Sequence, residues 1–226
     1  AQQVLAGFDA GVGNGVDASV FNPLPKHEAR AALGLPTDAR VLCTVGALVE
    51  RKGFHRVIAL LPRLRARHPG LMYLIVGGAS PEGDISERLR QQVEQLGVGD
   101  VVRFLGPMAP AQLRVPLSAS DVFTLPSSNE GWANVILEAM ACGVPVVASD
   151  VGGNAEVVCD ATLGSIYPFG DDEALFDSLD RALGTAWDSV ALIGYAQRNS
   201  WDTRVAQLLA AFRAIADGAR DAGGLP

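Results

Sequence analysis

The stretch from residue 129 to residue 149, NEGWANVILEAMACGVPVVAS, predicts a helix that is followed directly by a buried strand. The helix is expected over 132–141, where small and apolar residues predominate, and Gly143 is a typical stop signal just after it. The strand is expected over 144–149, because VPVVAS is short, apolar and rich in β-branched residues. Helix–strand units of this kind are typical of an α/β fold.

Two glutamates flank the start of this helix. Glu130 comes just before it, and Glu138 is expected about two turns inside it. Between them, the backbone amides of 131–134 lack helical acceptors and carry the partial positive charge of a helix start, which suits phosphate or sugar oxygens. Carboxylates accept hydrogen bonds from hydroxyl groups. Eight helical residues would span roughly 12 Å, so the pattern predicts a ligand with hydroxyl groups at both ends and charge in the middle.

Apolar runs alternate with amphipathic segments along the rest of the chain. This alternation is typical of a parallel sheet that is covered on both faces. Right-handed crossovers then predict an α/β, Rossmann-like, doubly wound sheet of about six strands, with ligands at the carboxyl ends of the strands. The predicted strands are 41–46, 71–78, 101–106, 121–127, 144–149 and 163–168. The predicted helices are 54–67, which Pro62 is expected to kink or shorten, 84–96, 109–120, 132–141, 154–158, 172–183, 187–198 and 201–217.

The composition indicates a globular protein with an acidic balance. Of 226 residues, 49% are hydrophobic and 19% are charged, and the formal net charge is −7. The sequence shows no basic stripe, so nucleic acid is not an expected partner. Cys43, Cys142 and Cys159 are too far apart to suggest a metal cluster, and they favour a reducing compartment. No apolar run reaches transmembrane length. We therefore expect a cytoplasmic protein, with peripheral contact to the inner face of the membrane only through a segment outside the chain.

The first residues, AQQVLAGFDAGVGNGVD (1–17), read as the middle of a longer polypeptide. We therefore expect upstream sequence to be missing. The predicted organisation is an interdomain junction over 1–22, one ligand-binding domain over 23–217 and a flexible tail over 218–226.

Six motifs carry a resemblance to a known family. They are GNGVDASVF (13–21), VGALVERKG (45–53), LIVGGASPEG (74–83), VRFLGPM (102–108), DVFTLPSSNEGWANVILEAMACGVPVVASDVGGNAEVV (121–158) and the pair Ser200-Trp201. Together they resemble the C-terminal, donor-binding half of the GT-B glycosyltransferases of family 4, the retaining class. The resemblance covers about residues 13–214, and the two glutamates in their flanking context are its most specific part.

The resemblance implies roles for individual residues. Glu130 would contact the hydroxyl groups of the donor sugar, and Glu138 would contact the ribose of the nucleotide. Lys52, in the phosphate-contacting loop that Gly46 opens, would pair with the pyrophosphate as negative charge develops during sugar transfer. The other expected ligand contacts are the backbone amides of Gly131, Trp132, Ala133, Asn134 and Val135, and main-chain groups near Phe104 and Leu105 that would hold the base.

The sequence departs from the family pattern at Ala47, where the family commonly has an arginine that clamps a phosphate. Arg51, beside Lys52, is expected to substitute for it from a different position. UDP- or GDP-sugars are the expected donors, with no additional cofactor and no metal. Trp132 is left open between packing and stacking on the ligand, and Gly152 with Gly153 is expected to form another tight loop near the donor.

The resemblance also implies an N-terminal acceptor-binding domain that this chain lacks. We therefore expect the chain to belong to an enzyme that transfers a hexosyl unit to an unidentified acceptor, and to transfer little or no sugar by itself. Two alternatives stay open at this point. One is a non-catalytic nucleotide-binding domain, and the other is half of a related sugar-nucleotide epimerase or phosphorylase.

Overall fold

The computed structural model describes residues 14–222 of the chain, and the side chains of residues 14–214. Residues 1–13 of the predicted junction and 223–226 of the predicted tail lie outside the described residues. Six parallel strands form one sheet in the order β3-β2-β1-β4-β5-β6. The strands are β1 (Arg40–Val45), β2 (Leu71–Val76), β3 (Val102–Gly106), β4 (Val122–Leu125), β5 (Val146–Ser149) and β6 (Gly164–Tyr167).

Helices cover both faces of the sheet because its central strands bury side chains on both sides. Along β1, Val41 and Cys43 belong to one hydrophobic core, whereas Leu42 belongs to the other. This arrangement confirms the predicted Rossmann-like, doubly wound fold. The first core includes residues of α1 (Lys26–Ala32), α4 (Pro110–Ala119), α5 (Asn134–Ala141), α6 (Asn154–Val157) and α8 (Ser189–Arg198), and the second includes residues of α2 (Phe54–Arg67), α3 (Ser86–Gln95) and α7 (Asp172–Gly184).

The last described helix, α9 (Trp201–Ala222), begins beside the segment through which the chain enters the domain. The Val16 N–H donates to the Asn199 carbonyl at 3.0 Å, and the Trp201 N–H donates to the Val16 carbonyl at 3.1 Å. Residues 14–22 of the predicted junction therefore lie against this domain, and α9 extends through 218–222 of the predicted tail. Within residues 14–222, no helix combines the length and the apolar character needed to cross a membrane.

Three local features differ from the sequence expectations. Helix α1 has no counterpart among the predicted helices. Helix α5 begins at Asn134 rather than at 132, because Ala133 is still extended, with φ −82° and ψ 91°. Glu138 therefore lies just over one turn inside the helix instead of two, and a helical rise does not apply to the whole span from Glu130. Pro62 lies inside α2 without shortening it, since the apolar side of that helix is packed on the sheet.

Candidate functional site

The candidate site lies where the strand order reverses, at the carboxyl ends of β1 and β4. The chain leaves β1 towards β2 and leaves β4 towards β5, so the loops 46–53 and 126–133 separate from adjacent strands. Such a divergence opens a crevice at the carboxyl edge of a parallel sheet. The site residues predicted from both loops therefore come to the same edge of the molecule.

Glycines allow three loops to approach one another at this edge. Gly77, with φ 148°, follows β2, and a Cβ atom added to it would lie 1.7 Å from the Gly46 carbonyl oxygen. Gly53, with φ 73°, would place a Cβ atom 2.1 Å from the Pro126 carbonyl oxygen. Real Cβ atoms do not tolerate such distances, so both positions require glycine if the loops are to stay together.

Lys52 and Glu130 form the ion pair at the centre of the crevice. Lys52 ends a short 3₁₀ turn, Glu50–Lys52, and its Nζ donates to Glu130 Oε1 at 2.6 Å. The two side chains are only 13% and 8% exposed. Gly46 lies beneath the lysine, because a Cβ atom added there would be 3.4 Å from Lys52 Cδ and Cε. The structure thus brings together two predicted catalytic residues and the glycine that opens the phosphate-contacting loop.

Arg51 lies at the mouth of the same crevice. Its Nε and Nη2 donate to the two carboxylate oxygens of Glu82, at 2.5 and 2.8 Å. Its Nη1 is 3.4 Å from the Asn129 carbonyl oxygen and 3.9 Å from Glu130 Oε2. The guanidinium group therefore lies beside Glu130 in the crevice, whereas Ala47 offers no charge.

The backbone around Glu130 is fixed by the glycine pair after β5. Gly152 has φ 52°, and a Cβ atom added to it would lie 1.9 Å from the Glu130 carbonyl oxygen. The Gly153 N–H donates to the Gly131 carbonyl at 2.9 Å. The Trp132 ring packs over Gly153, at 3.0 Å from where a Cβ atom would be. These contacts favour packing as the role of the ring, although the Trp132 indole N–H is buried without a partner among the described residues.

The start of α5 adds hydrogen-bond donors to the crevice. No side chain caps this helix, and Ala133 is its N-cap residue. The Ile136 N–H is bonded to the Ala133 carbonyl, at 3.0 Å. The amides that precede it, at Asn134 and Val135, have no side-chain acceptor within the described chain, so an anion or a sugar oxygen can accept from them.

Glu138 differs from the other ionisable groups of the crevice. It is half-buried among apolar residues of α5, and it forms no salt bridge within the described part of the chain. Removal of its carboxyl group from water raises the pKa of Glu138 to about 7. A partly desolvated carboxylate is stabilised by any ligand that donates hydrogen bonds to it.

The predicted base-binding residues Phe104 and Leu105 lie near the end of β3, on the same edge of the sheet. Both are half-buried, and the Arg90 guanidinium group stacks over the Phe104 ring at 4.4 Å from its centroid. The Gly106 carbonyl accepts from the Gly77 N–H at 2.9 Å, which ties β3 to the loop after β2. Strand β3 is two strands away from β1, so these residues lie towards the periphery of the crevice.

A separate concavity lies at the opposite edge of the sheet. Its volume is about 390 Å³, and its lining includes Arg40, Asp121 and Trp187. Because Arg40 begins β1 and Asp121 comes just before β4, this cavity faces the strand starts. It contains none of the predicted site residues, and ligands of open parallel sheets bind at the other edge.

Comparison with known proteins identifies the class. Residues 25–199 match the sequence model of a family described as glycosyl transferases group 1. The match covers most of the chain, so the chain belongs to this family. The D-inositol 3-phosphate glycosyltransferase of Saccharomonospora viridis is 38% identical over 228 residues, which include 94% of this chain and 53% of that protein. The chain thus spans about half the length of the curated relatives that it matches.

Solved structures with the same fold are glycosyltransferases as well. Sucrose-phosphate synthase from Thermosynechococcus elongatus superposes with a TM-score of 0.78 at 29% identity, over 96% of this chain and 56% of that one. Anabaena HepE in complex with UDP superposes with a TM-score of 0.77 at 27% identity, over 88% of this chain and 56% of that one. The chain therefore has the fold of one half of a GT-B glycosyltransferase, which confirms the resemblance seen in the sequence.

Sequence reasoning missed two contributors to the site. Glu82, which holds Arg51, lies within the motif LIVGGASPEG (74–83), but no role was predicted for it. Gly152 was expected near the ligand, but its sequence context did not show that it supports the backbone of Glu130. The contacts of the predicted site residues with a ligand stay a prediction.

Proposed function

We propose that this chain is the donor-binding half of a retaining glycosyltransferase that takes a hexosyl unit from a nucleotide-diphosphate sugar. The observation that carries the proposal is the placement of Lys52 and Arg51 beside the uncapped start of α5, in one crevice. Two cations and a row of free amides form a site for a diphosphate group. No other part of the described chain combines these features at the carboxyl edge of the sheet.

The diphosphate would lie between the lysine and the helix start. An ammonium group has three donors, and Glu130 takes one of those on Lys52 in the structure. The others are available for phosphate oxygens. As the bond to the sugar breaks, the leaving diphosphate gains negative charge, so Lys52 would bind the transition state more strongly than the ground state. Glu130 would hold Lys52 in place and accept from hydroxyl groups of the sugar.

The nucleoside would extend from the diphosphate towards Glu138 and β3. Glu138 has no salt-bridge partner within the described chain, and the two hydroxyl groups of a ribose would supply the donors that its carboxylate lacks. Main-chain groups near Phe104 and Leu105 would contact the base. Main-chain contacts to a base leave little trace in residue identity, so the sequence does not identify the base. UDP and GDP, the nucleotides of the expected donors, are therefore the first to test. The solved complex of Anabaena HepE with UDP supports the choice of UDP.

Calorimetric titration of the chain with UDP, GDP and ADP tests the proposal. We expect at least one diphosphate to bind, and Glu138→Ala to weaken that binding by about tenfold to a hundredfold, the loss expected for hydrogen bonds to a charged group. Pyrophosphate, which has no ribose, should bind the variant and the wild type equally. Glu94→Ala, an exposed glutamate on α3, is the matched control. Equal affinity of both variants for the nucleotide would contradict the assignment of Glu138.

Two further measurements separate the finer parts of the proposal. Since cations and amides of the chain would supply the charge that binds phosphate, nucleotide affinity should be the same in EDTA and in Mg²⁺ buffer. A need for the metal would contradict metal-independent binding. The chain spans about half of its relatives, so we propose that it does not turn over a sugar donor alone. Release of UDP from UDP-glucose in the presence of an acceptor would contradict that statement without affecting the binding proposal.

A further inference from the structure

Each of the three nitrogens of the Arg51 guanidinium group faces an oxygen of the chain. Its Nε and Nη2 form a bidentate ion pair with the Glu82 carboxylate, at 2.5 and 2.8 Å. Its Nη1 faces the Asn129 carbonyl and Glu130. A phosphate group would use the same planar fork of donors, because carboxylates and phosphates are alternative partners for guanidinium. Glu82 therefore occupies the face of Arg51 that a diphosphate needs.

The loop that carries Glu82 reaches the crevice from the other side of Arg51. It joins β2 to α3 and is closed by a tight turn, in which Ser80 and Gly83 exchange backbone hydrogen bonds of 3.0 and 2.9 Å. The Glu82 side chain is 53% exposed, and its contact with Arg51 lowers the pKa of its carboxyl group below the ordinary value. Exposed ion pairs contribute little to stability, so this carboxylate can be displaced.

The charges of the resting crevice are balanced. Two cations, Arg51 and Lys52, face two carboxylates, Glu82 and Glu130. A diphosphate brings further negative charge, so its binding is favoured if one carboxylate withdraws. Glu130 is 8% exposed and is held at its backbone by Gly152, whereas Glu82 lies in an exposed loop. Glu82 is thus the group that can leave.

We infer that Glu82 is a built-in competitor of the diphosphate: it takes the donors of Arg51 that the diphosphate needs, and the ligand displaces it on binding. The inference rests on the proposed function and adds the residue that sets the affinity for the diphosphate group. It gives Glu82 a role opposite to that of a supporting residue. A glutamate that only orients Arg51 would strengthen binding, whereas a competitor weakens it.

Whether Glu82→Gln raises or lowers the affinity for UDP decides between these roles. In Glu82→Gln the guanidinium group of Arg51 loses its charged partner, while the side chain at position 82 keeps its size. We expect UDP to bind this variant about threefold to fivefold more tightly than the wild type, as the loss of an exposed ion pair allows. Pyrophosphate should gain by the same factor, and uridine, which has no phosphate, should bind both proteins equally. Calorimetric titrations at one salt concentration give all three comparisons.

Two matched variants exclude a general effect of charge. Glu87→Gln removes the same charge from the first turn of α3, where Glu87 contacts only Gln91 in the described structure. We expect UDP affinity to change little in this control. In an Arg51→Gln background, Glu82→Gln should also lose most of its effect. Equal gains in Glu82→Gln and Glu87→Gln, or an undiminished gain without Arg51, would overturn the inference.

Failure of the inference can be distinguished from failure of the proposed function. If the wild type binds UDP or GDP and Glu82→Gln binds it equally or less tightly, Glu82 is not a competitor and the donor-site proposal stands. If neither protein binds UDP, GDP or pyrophosphate, both proposals are wrong.

Discussion

The two glutamates of the crevice have opposite surroundings. Glu130 lies in a loop, is almost fully buried, and receives a hydrogen bond from Lys52 at 2.6 Å. Glu138 lies in α5, is half-buried, and has no salt bridge within the described chain, so burial raises the pKa of its carboxyl group to about 7. Both residues are predicted ligand contacts, but only Glu130 has its charge compensated by the protein.

The difference indicates what each residue requires of a ligand. A carboxylate that is paired with a cation of the protein already has a partner for its charge, and a ligand exchanges with that partner. A carboxylate without one is costly to ionise until donors arrive from outside. We therefore expect Glu130 to matter for the architecture of the crevice as well as for the ligand, and Glu138 to matter mainly when the ligand is bound.

The largest effect is expected from the glycine that supports Glu130. Gly152→Ala places a Cβ atom 1.9 Å from the Glu130 carbonyl oxygen, at a backbone φ of 52°. The loop must move, so we expect the free energy of unfolding to fall by about 4 kcal/mol from steric overlap and backbone strain together. Urea denaturation measures the loss. Gly184→Ala, where a Cβ atom meets nothing within 4 Å, should be neutral or slightly stabilising; similar losses in both variants would contradict the supporting role of Gly152.

Removal of the Lys52 ammonium group should leave Glu130, like Glu138, as an at least half-buried carboxyl group without a close cation. Lys52→Met leaves a carboxylate that is 8% exposed with only Arg51, at 3.9 Å, to compensate its charge. We expect a loss of about 3 kcal/mol in the free energy of unfolding at neutral pH, together with loss of UDP binding.

A matched ion pair on the surface provides the control for that change. Glu173→Gln breaks a contact with Arg63 in which the carboxylate is 70% exposed. Its removal should leave the urea midpoint almost unchanged, because exposed pairs contribute little. If Lys52→Met were as mild as this control, the ion pair of the crevice would not be a structural contact.

Glu138 predicts a dependence of stability on pH. The pKa of Glu138 is about 7 in the folded chain, above its ordinary value of 4.5. Between these values the folded chain binds more protons than the unfolded chain, so the contribution of this group to stability is present below pH 4.5 and is lost as the pH rises through 7. Relative to Glu138→Gln, the wild type should lose about 2 kcal/mol between pH 5 and pH 8. A pH-independent difference between the two proteins would refute the assignment.

The raised pKa of Glu138 also predicts proton release when a nucleotide binds. Hydroxyl donors of a nucleotide favour the ionised form of Glu138, so UDP binding at pH 7 should release a proton from this group. Calorimetry in two buffers with different heats of ionisation measures the release. It should be smaller in Glu138→Gln, which corrects for protons that UDP itself exchanges.

The smallest effect is expected from Arg51, which contacts carboxylates in two loops, Glu82 and Glu130. Arg51→Gln should weaken UDP binding about tenfold, the loss of one charge-assisted contact. Ala47→Arg, added to this variant, should recover part of the affinity if the two positions serve the same phosphate. Ala47→Arg in the wild type, where Arg51 is present, should gain less. No recovery in the double variant would mean that Arg51 and the arginine expected at position 47 act at different places.

The sheet and the pair of glutamates could be predicted from the sequence because each has a strong local signature. Strands β1 and β2 are largely apolar, and Gly143, two residues after α5, has a φ of 78°, the left-handed value expected after a helix stop. The start of α5 was less readable. Nothing in Trp132 or Ala133 opposes a helix locally, and the loop stays extended because Gly152 and Gly153 hold it from another segment.

Features that depend on distant contacts were not predictable. Helix α1 has only seven residues, and it is held by the buried Arg30, which donates to the Ala119 carbonyl at 3.1 Å and pairs with Asp121 at 2.8 Å. The contact of Arg51 with Glu82 joins residues 31 positions apart. Exposed charges in polar loops have many possible partners, and only the folded chain selects one of them.

The strand order also bears on how such a domain can diverge over time. Because the crevice results from the chain leaving β1 and β4 in opposite directions, its existence does not depend on most of the side chains that line it. Gly53 and Gly77 are exceptions, since a Cβ atom at either would meet a backbone oxygen of another loop. Substitutions at the other positions of 46–53, 77–85 and 126–133 can therefore alter which molecule is accepted while both packed faces of the sheet stay intact. Lineages that share this scaffold are expected to differ first at those positions, apart from the shared Lys52 and Glu130, and last in the strands beneath them.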